Sequence, residues 1–395
     1  MLPAEATPKR LLSLDVYRGL VMFLLLAEHL NIGVVARSGQ AGPGWAFLHE
    51  QQSHVEWVGC VLHDLIQPSF SFLVGAAVAF SVASRRERGQ GVGKMAGHAM
   101  GRAFVLVALG ILLWSIGHPQ TNYTFEDTLT QIGLGYVFLF LLALRPVRDQ
   151  WIALAVIGVG YWLLFALWPL PGPDFDWARA GVPADWPNHL TGFAAHWNKN
   201  TNAAWAFDTW FMNLFPREQP FTANRGGYST LSFIPTLGTM VLGLLAGGWL
   251  RSDGSARRKL GLLALAGIIC LGAGWALGAA GICPVVKRIW TPSWMLYSGG
   301  FCFLFTALFY ATTDMPGWRK WAFPLVVLGA NSIAAYLMDW LWPKFIEAAV
   351  LRHTPEAVLN GFGSVYTPFV TGSLVVLVMW LVFFGMWRRK IFLKI

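Results

Sequence analysis

Charged residues are scarce in this sequence. Asp, Glu, Lys and Arg make up 12% of its 395 residues, whereas hydrophobic residues make up 55%. Soluble domains carry roughly 25% charged residues, so this chain has too little charge to cover a soluble globular surface. The sequence also shows no phosphate-binding loop, no low-complexity tract and no convincing internal repeat. We therefore expect an integral membrane protein.

Cysteine is equally sparse. The four cysteines are Cys60, Cys270, Cys283 and Cys302, and most of them lie in apolar runs. Their spacing resembles neither a zinc site nor a set of disulfide pairs. We interpret them as packed thiols, and we predict no metal cofactor.

Long apolar runs are the dominant feature of the sequence. A run of about 20 residues can cross the hydrocarbon layer of a membrane as a helix. The ten runs of this kind lie near 13–36, 56–83, 97–116, 128–144, 151–169, 229–250, 260–280, 293–312, 322–341 and 364–386. Most connections are short, which favours one helical bundle. The sequence predicts an all-α polytopic membrane protein with about ten transmembrane helices and a single domain over residues 1–395.

The basic residues fit membrane topology better than nucleic-acid binding. The formal net charge is +9, but the basic residues form short clusters between apolar runs, without an aromatic and basic groove pattern. With a cytoplasmic N-terminus, 18 of the 29 Lys and Arg residues fall in inner segments, among them Lys9, Arg10 and Lys394. We therefore predict that both termini are cytoplasmic.

One connection is long. Residues 170–228 form a predicted external loop that is rich in Trp, Asn, Pro and Gly. Its aromatic content is too high for disorder, so we expect it to fold over the outer mouth of the bundle. Trp197 and the other tryptophans could pack in the loop core or at the membrane interface. They could also form an aromatic platform for a sugar, together with Asn198.

Ionisable residues in apolar spans are functional candidates, because an unpaired charge there costs several kcal/mol. Glu28 and His29 lie toward the outer end of the first run, and His54 and Asp64 flank the start of the second. Such groups could form a wet cavity in which a histidine acts as a general base. They could equally form a proton relay in a transporter.

Two arginines near the inner ends of predicted spans have alternative interpretations. Asp15 and Arg18 are three residues apart on one helical face, which favours a local ion pair. Arg102 begins the third span, where it could extend toward the interface or meet an anionic ligand.

Five motifs together resemble the heparan-α-glucosaminide N-acetyltransferase family and its bacterial relatives. They occur in the same order along the chain and read "RLLSLDVYRGL", "SHVEWVGCVLHDLIQPSFSFLVG", "STLSFIPTLGTMVLGLLAG", "PLVVLGANSIAAYL" and "WRRKIFLKI". The resemblance implies a transmembrane enzyme that uses acetyl-CoA from the cytoplasmic side and acetylates an amino sugar on the far side.

The resemblance also implies site residues. The family's active-site histidine precedes W-x-G and D-L motifs, and His54, Trp57 and Asp64 match that arrangement. We predict that His54 is the general base and that Asp64 orients it; an acetyl-histidine intermediate is the alternative role for His54. His63 has no counterpart in the motif, and we interpret it as a packing or solvent-facing residue. The chain departs from the family at His29, where an asparagine is usual.

Further residues are predicted to contact the two substrates. His29, Trp57, Asn331, Trp197 and Asn198 are the candidates for binding the acceptor. Arg18, Arg102, Arg85 and Arg86 are the candidates for holding the phosphates of CoA, although membrane topology alone also calls for basic residues on the inner side.

The predicted function is acetyl transfer from acetyl-CoA to a glucosamine-like acceptor, through nitrogen or oxygen. A proton-coupled secondary transporter or exporter of a sugar-like solute is the alternative, although no matched pair of Gly- or Pro-broken half-helices is evident in the sequence. Membrane lipids, an amino-sugar or oligosaccharide acceptor and a second copy of the chain are the expected partners. A bacterial inner membrane is the expected location.

Overall fold

The fold is helical throughout the part of the chain that the structure describes. In this computed structural model the described residues are 11–315 and 319–393. Within those ranges no β-strand forms, and one isolated bridge pairs Val58 with Val286. The predicted all-α class is confirmed. Lys9, Arg10 and Lys394 of the predicted inner basic set lie outside the described residues.

Within residues 11–315 and 319–393, seven helical segments are long and apolar enough to cross a membrane. They are Leu62–Glu87, Val92–Trp114, Val147–Ala166, Thr230–Arg251, Ala256–Ala279, Pro292–Asp314 and Ser364–Arg388. An eighth span results if the pair Lys320–Gly329 and Ser332–Leu341, bent by 65°, counts as one. A multi-pass membrane protein is therefore confirmed, but the count of ten is not. Two predicted spans contain helices of only 15 and 16 residues, Leu12–Leu26 and Thr128–Ala143.

The described chain divides into two compact units. The first consists of Met1–Val55, Val61–Ile66 and Phe305–Ile395. Its helices are α1 (Leu12–Leu26), α2 (Ile32–Arg37), α3 (Pro43–Gln51), and, near the C-terminus, α13 (Phe323–Gly329), α14 (Ser332–Leu341), α15 (Pro343–His353), α16 (Glu356–Leu359) and α17 (Thr367–Arg388). The prediction of a single domain and a single bundle stays a prediction.

Helix α1 packs closely against α13 in the first unit. Glycines make this approach possible: a Cβ atom on Gly19 would overlap the carbonyl oxygen of Leu325, and one on Gly329 would overlap that of Asp15. Small residues let two backbones approach in this way where water supplies no hydrophobic driving force.

The first predicted span breaks in the middle. After α1 the chain forms a 3-10 turn, Ala27–Leu30, and Asn31 then takes a left-handed conformation with φ 55°. Asn31 Nδ2 donates to the carbonyl oxygen of Pro368 at 3.3 Å, and a Cβ on Gly372 would overlap the carbonyl oxygen of His29. The start of α17 therefore fixes the broken segment that carries Glu28 and His29.

The second unit consists of Glu56–Cys60 and Gln67–Leu304. Most of its residues lie in α4 (Ile66–Glu87), α5 (Val92–Trp114), α6 (Thr128–Ala143), α7 (Val147–Ala166), α8 (Trp177–Ala180), α9 (Ala203–Phe211), α10 (Phe233–Arg251), α11 (Ala256–Ala279) and α12 (Pro292–Phe309). Helix α6 packs on α5, and α10 packs on both α6 and α7. Helices α4 and α10 meet at glycines, since a Cβ on Gly75 would overlap the carbonyl oxygen of Met240.

The long loop is folded, as its aromatic content predicts. It contains α8, α9 and a 3-10 turn at Gly192–Trp197. Fully buried Trp197 joins Trp57, Phe165 and Val286 in one hydrophobic cluster, which ties the loop to the rest of the second unit. The position of this loop over an outer mouth stays a prediction.

Asp208 is a buried carboxylate inside this loop, with 4% of its surface exposed. Burial, with a smaller contribution from the charge of Glu126, raises the pKa of Asp208 from 3.8 to about 7, against the hydrogen bonds from Thr230 and the charge of Arg217. The backbone N–H of Thr230 donates to Asp208 Oδ2 at 2.9 Å. The folded loop therefore favours the protonated carboxyl.

The glycine contact between α4 and α10 gives a stability prediction. We expect Gly75→Ala to destabilise the protein by about 1–3 kcal/mol, because the added methyl group must displace the α10 backbone. Gly97→Ala on α5 is the control, since a Cβ there meets nothing within 4 Å. Thermal unfolding in detergent measures both. Equal melting temperatures for the two variants would contradict this packing.

Asp208 gives a pH prediction. Because the folded state holds this proton more tightly than the unfolded state, the contribution of Asp208 to stability declines as pH rises from about 4 to about 7. Asp208→Asn removes that decline and keeps an acceptor for Thr230. We expect the wild type to lose more thermal stability than Asp208→Asn between about pH 5 and about pH 8. Asp185→Asn, an exposed change in the same loop, should behave as wild type.

Candidate active site

His54 and Asp64 lie together in the first unit. Asp64 belongs to a 3-10 turn, Leu62–Leu65, and His54 lies in the non-helical segment before it. His54 Nδ1 is 2.7 Å from Asp64 Oδ1, and the backbone N–H of Val61 donates to Asp64 Oδ2 at 3.2 Å. The Asp64 side chain is 1% exposed, while that of His54 is 38% exposed. A fixed, buried carboxylate thus orients a histidine that remains open to solvent.

His63 is part of the same cluster, which the sequence interpretation did not foresee. Its Nε2 is 2.8 Å from Glu28 Oε1, and its ring centroid lies 4.7 Å from that of His54. The His63 side chain is only 9% exposed, which favours the predicted packing role over the solvent-facing alternative. Its position next to Asp64 was visible in the sequence, but its pairing with Glu28 depends on tertiary packing.

A third histidine and carboxylate pair joins two broken helical segments. His29 Nε2, in the turn after α1, is 2.8 Å from Asp339 Oδ1 in α14. The sequence analysis named His29 as a polar contact for the acceptor but missed Asp339. An aspartate within the apolar run "AAYLMDWLW" was a signal for it, because such residues are usually paired or functional.

Asn331 is buried at the bend between α13 and α14, and its amide is engaged by the C-terminal segment. Asn331 Nδ2 donates to the carbonyl oxygen of Ile391 at 2.9 Å, and its Oδ1 accepts from the N–H of Leu393 at 3.1 Å. These two bonds use one Nδ2 hydrogen and one Oδ1 lone pair of the amide. Its assignment as an acceptor contact stays a prediction.

The loop candidates occupy interior positions in the second unit. Trp57 Nε1 donates to the carbonyl oxygen of Trp197 at 3.0 Å, and both rings are buried. The Asn198 amide forms two hydrogen bonds with the backbone of Leu190. These contacts are those of loop-core packing, and an aromatic platform at Trp197 would need the loop to open. Trp210, with 60% of its surface exposed, fits a position at the membrane interface instead.

The arginine candidates each have a partner within the protein. Arg18 Nη1 lies 3.2 Å from Asp15 Oδ1, so the predicted ion pair is confirmed. Arg102 donates to the Tyr136 hydroxyl at 3.3 Å, and its guanidinium lies over the same ring.

The other two arginines lie in the last turn of α4. Arg85 donates to Gln90 Oε1 at 3.2 Å, and Arg86 donates to the carbonyl oxygen of Leu144 at 3.3 Å. A role for any of the four arginines in holding CoA phosphates stays a prediction.

The chemistry available at this site is acid–base chemistry. Three histidines each face a carboxylate, and one of those histidines is open to solvent. Among residues 11–315 and 319–393, no group of three or more His, Cys, Asp and Glu side chains is arranged to hold a metal ion. A histidine oriented by a buried carboxylate can accept and return a proton during a reaction.

Comparison with known proteins supports the resemblance seen in the motifs. No protein-family profile matches the chain. Human heparan-alpha-glucosaminide N-acetyltransferase is 23% identical over 432 residues, covering 99% of this chain and 61% of the human protein. The mouse protein of the same name is 22% identical over 372 residues, covering 84% of this chain and 54% of the mouse protein.

The chain thus spans less than two thirds of the length of these curated relatives. Identity this low, extended over nearly the whole chain, marks common ancestry at a distance. The chain therefore has a distant family relationship to the heparan-alpha-glucosaminide N-acetyltransferases.

Proposed function

We propose that this chain is a transmembrane acetyltransferase that moves an acetyl group from acetyl-CoA to the amine of a glucosamine-like sugar. The observation that carries the proposal is the 2.7 Å contact between His54 Nδ1 and Asp64 Oδ1. The names of the human and mouse relatives support acetyl transfer to nitrogen and a glucosaminide acceptor. The charge distribution of the sequence supports cytoplasmic termini, with the donor on that side and the acceptor on the other. We place the protein in a bacterial inner membrane.

The geometry suits the proton transfer that amide formation requires. The acceptor nitrogen attacks the thioester carbonyl carbon, the carbon–sulfur bond breaks, and the amine loses a proton. With Nδ1 of His54 donating to Asp64, Nε2 is the basic nitrogen that takes this proton and returns it to the departing thiolate. The buried carboxylate stabilises the imidazolium that forms between these two steps.

Acetyl-CoA is the second substrate in this proposal. The pantetheine arm is too short to cross a full bilayer, so the helices must admit the thioester to the site. Guanidinium groups bind phosphate oxygens in pairs, which makes Arg18, Arg85, Arg86 and Arg102 the residues we propose for the CoA phosphates. When CoA binds, its phosphate oxygens would replace the present partners of these arginines, such as Asp15 for Arg18.

An assay in proteoliposomes tests the function. With labelled acetyl-CoA on one side and glucosamine enclosed on the other, we expect acetylated glucosamine in the lumen. His54→Ala should lower kcat roughly 10²- to 10⁴-fold, because the general base is lost. His353→Ala, an exposed change at the end of α15, is the control. Unmodified acceptor crossing the membrane would favour the transporter instead, and full activity of His54→Ala would remove His54 from the mechanism.

Asp64→Asn separates orientation from binding. An asparagine can still accept from the Val61 N–H, but it cannot stabilise an imidazolium at His54. We expect kcat to fall roughly 10²-fold or more, with KM for both substrates little changed. Steady-state kinetics at several acetyl-CoA concentrations provide the measurement. A rise in KM at unchanged kcat would assign Asp64 to substrate binding.

A further inference from the structure

A second imidazole lies in direct contact with the His54 ring. The two ring centroids are 4.7 Å apart and the planes are inclined by 59°. His63 is nearly enclosed, and its Nε2 is held 2.8 Å from a carboxylate oxygen of Glu28. The Glu28 side chain is 48% exposed, so its carboxylate is hydrated while the His63 imidazole is not. The pair therefore joins an interior imidazole to a solvated carboxylate.

Several ionisable groups of the described residues lie around the two rings. Asp64 faces His54, and Glu28 faces His63. The His29 and Asp339 pair lies in the same unit, and Glu347 adds a carboxylate near His29. Each of the three histidines therefore has a carboxylate beside it.

Two imidazolium rings at this separation repel each other. Protons on neighbouring groups of this kind bind in coupled steps, so a proton held on one ring disfavours a proton on the other. A proton on His63, whose ring is in direct contact with that of His54, therefore opposes the protonation of His54 that Asp64 favours.

We infer that His63, held by Glu28, carries a positive charge beside His54 and thereby keeps His54 neutral. In this role His63 is a positioning residue, which acts through His54. The catalytic consequence rests on the proposed function: a general base must be neutral to take the proton of the acceptor amine. The charge relation between the two rings does not depend on that function.

Without this cation, Asp64 and Glu28 would both favour a proton on His54. His54 would then be protonated, and unable to act as a base, at pH values where it is neutral in the wild type. Burial alone would favour the neutral form of His63, because an unpaired interior cation is costly. Glu28 removes that obstacle by its contact with Nε2.

Histidine-ring NMR of the full-length protein tests the inference without an activity assay. Isotope-labelled histidine is titrated in nanodiscs, and the His54 signal is assigned by its absence in His54→Gln. We expect His63→Gln to raise the titration midpoint of His54 by roughly one pH unit, the size that charges this close produce near a protein surface. His63→Arg, which keeps a cation, should hold the midpoint at or below that of the wild type.

A double variant isolates Glu28. In the His63→Gln background, the added change Glu28→Gln removes the carboxylate left without its partner, and we expect the His54 midpoint to move back toward lower pH. His353→Gln is the matched control and should leave the midpoint unchanged.

An unchanged His54 midpoint in His63→Gln, or the same upward shift in His63→Arg, would overturn the inference. If His63→Gln does not fold, His63→Asn takes its place, because it also removes the imidazole. Acetyl transfer assayed on the same preparations separates the two proposals. If the His54 midpoint shifts as expected but the wild type shows no acetyl transfer, the proposed function is wrong and the charge relation between the two rings is supported. If the wild type is active but the midpoint does not shift, the charge relation is wrong and the proposed function is supported.

Discussion

The contact between His54 and Asp64 is the interaction around which the site is organised. A buried carboxylate is costly unless hydrogen bonds satisfy it, and Asp64 is satisfied by the His54 ring and the Val61 N–H. Meeting that requirement brings His54 and Asp64, ten residues apart in the chain, into direct contact. Nearby, Gln51 Oε1 accepts from the Leu62 N–H, and Gln52 Nε2 donates to the carbonyl oxygen of Ala27. The carboxylate thus orients the histidine and fixes the polar segment on which it lies.

Broken helices supply the other half of the arrangement. In a continuous apolar helix, Glu28, His29 or Asp339 would be destabilising, because each would be an unpaired charge in the membrane. The 3-10 turn after α1 and the bend between α13 and α14 interrupt the apolar pattern within the first unit. At these interruptions the ionisable side chains pair with one another, which lowers the cost of placing them there. The same pairing leaves a cluster of acids and bases suited to moving protons.

The sequence predicted the helical segments well but their continuity poorly. Each of the ten apolar runs corresponds to helix in the structure, because hydropathy reports burial in lipid. Hydropathy does not report where a helix breaks: the left-handed Asn31 and the bend at Asn331 follow from contacts with residues far along the chain. Helix α6 is equally apolar on average, but its 16 residues are fewer than the roughly 20 that a membrane-spanning helix needs.

The site shows the same division between local and distant information. His54 and Asp64 were predicted because a motif places them ten residues apart. His63 and Asp339 were not, because their partners, Glu28 and His29, are brought to them by tertiary packing alone. The tryptophans of the loop fitted both packing and sugar binding in the sequence, and only the burial of Trp197 distinguishes the two in this structure.

In the proposed mechanism His54 is the base of the transfer reaction. Two titrations of the same wild-type preparation test this role: the acid limb of kcat/KM, corrected for ionisation of the acceptor amine, and the NMR titration of the His54 ring. If His54 is the base, the two midpoints coincide and activity falls as a single proton binds. An activity that stays constant through the titration of His54 would rule out this role.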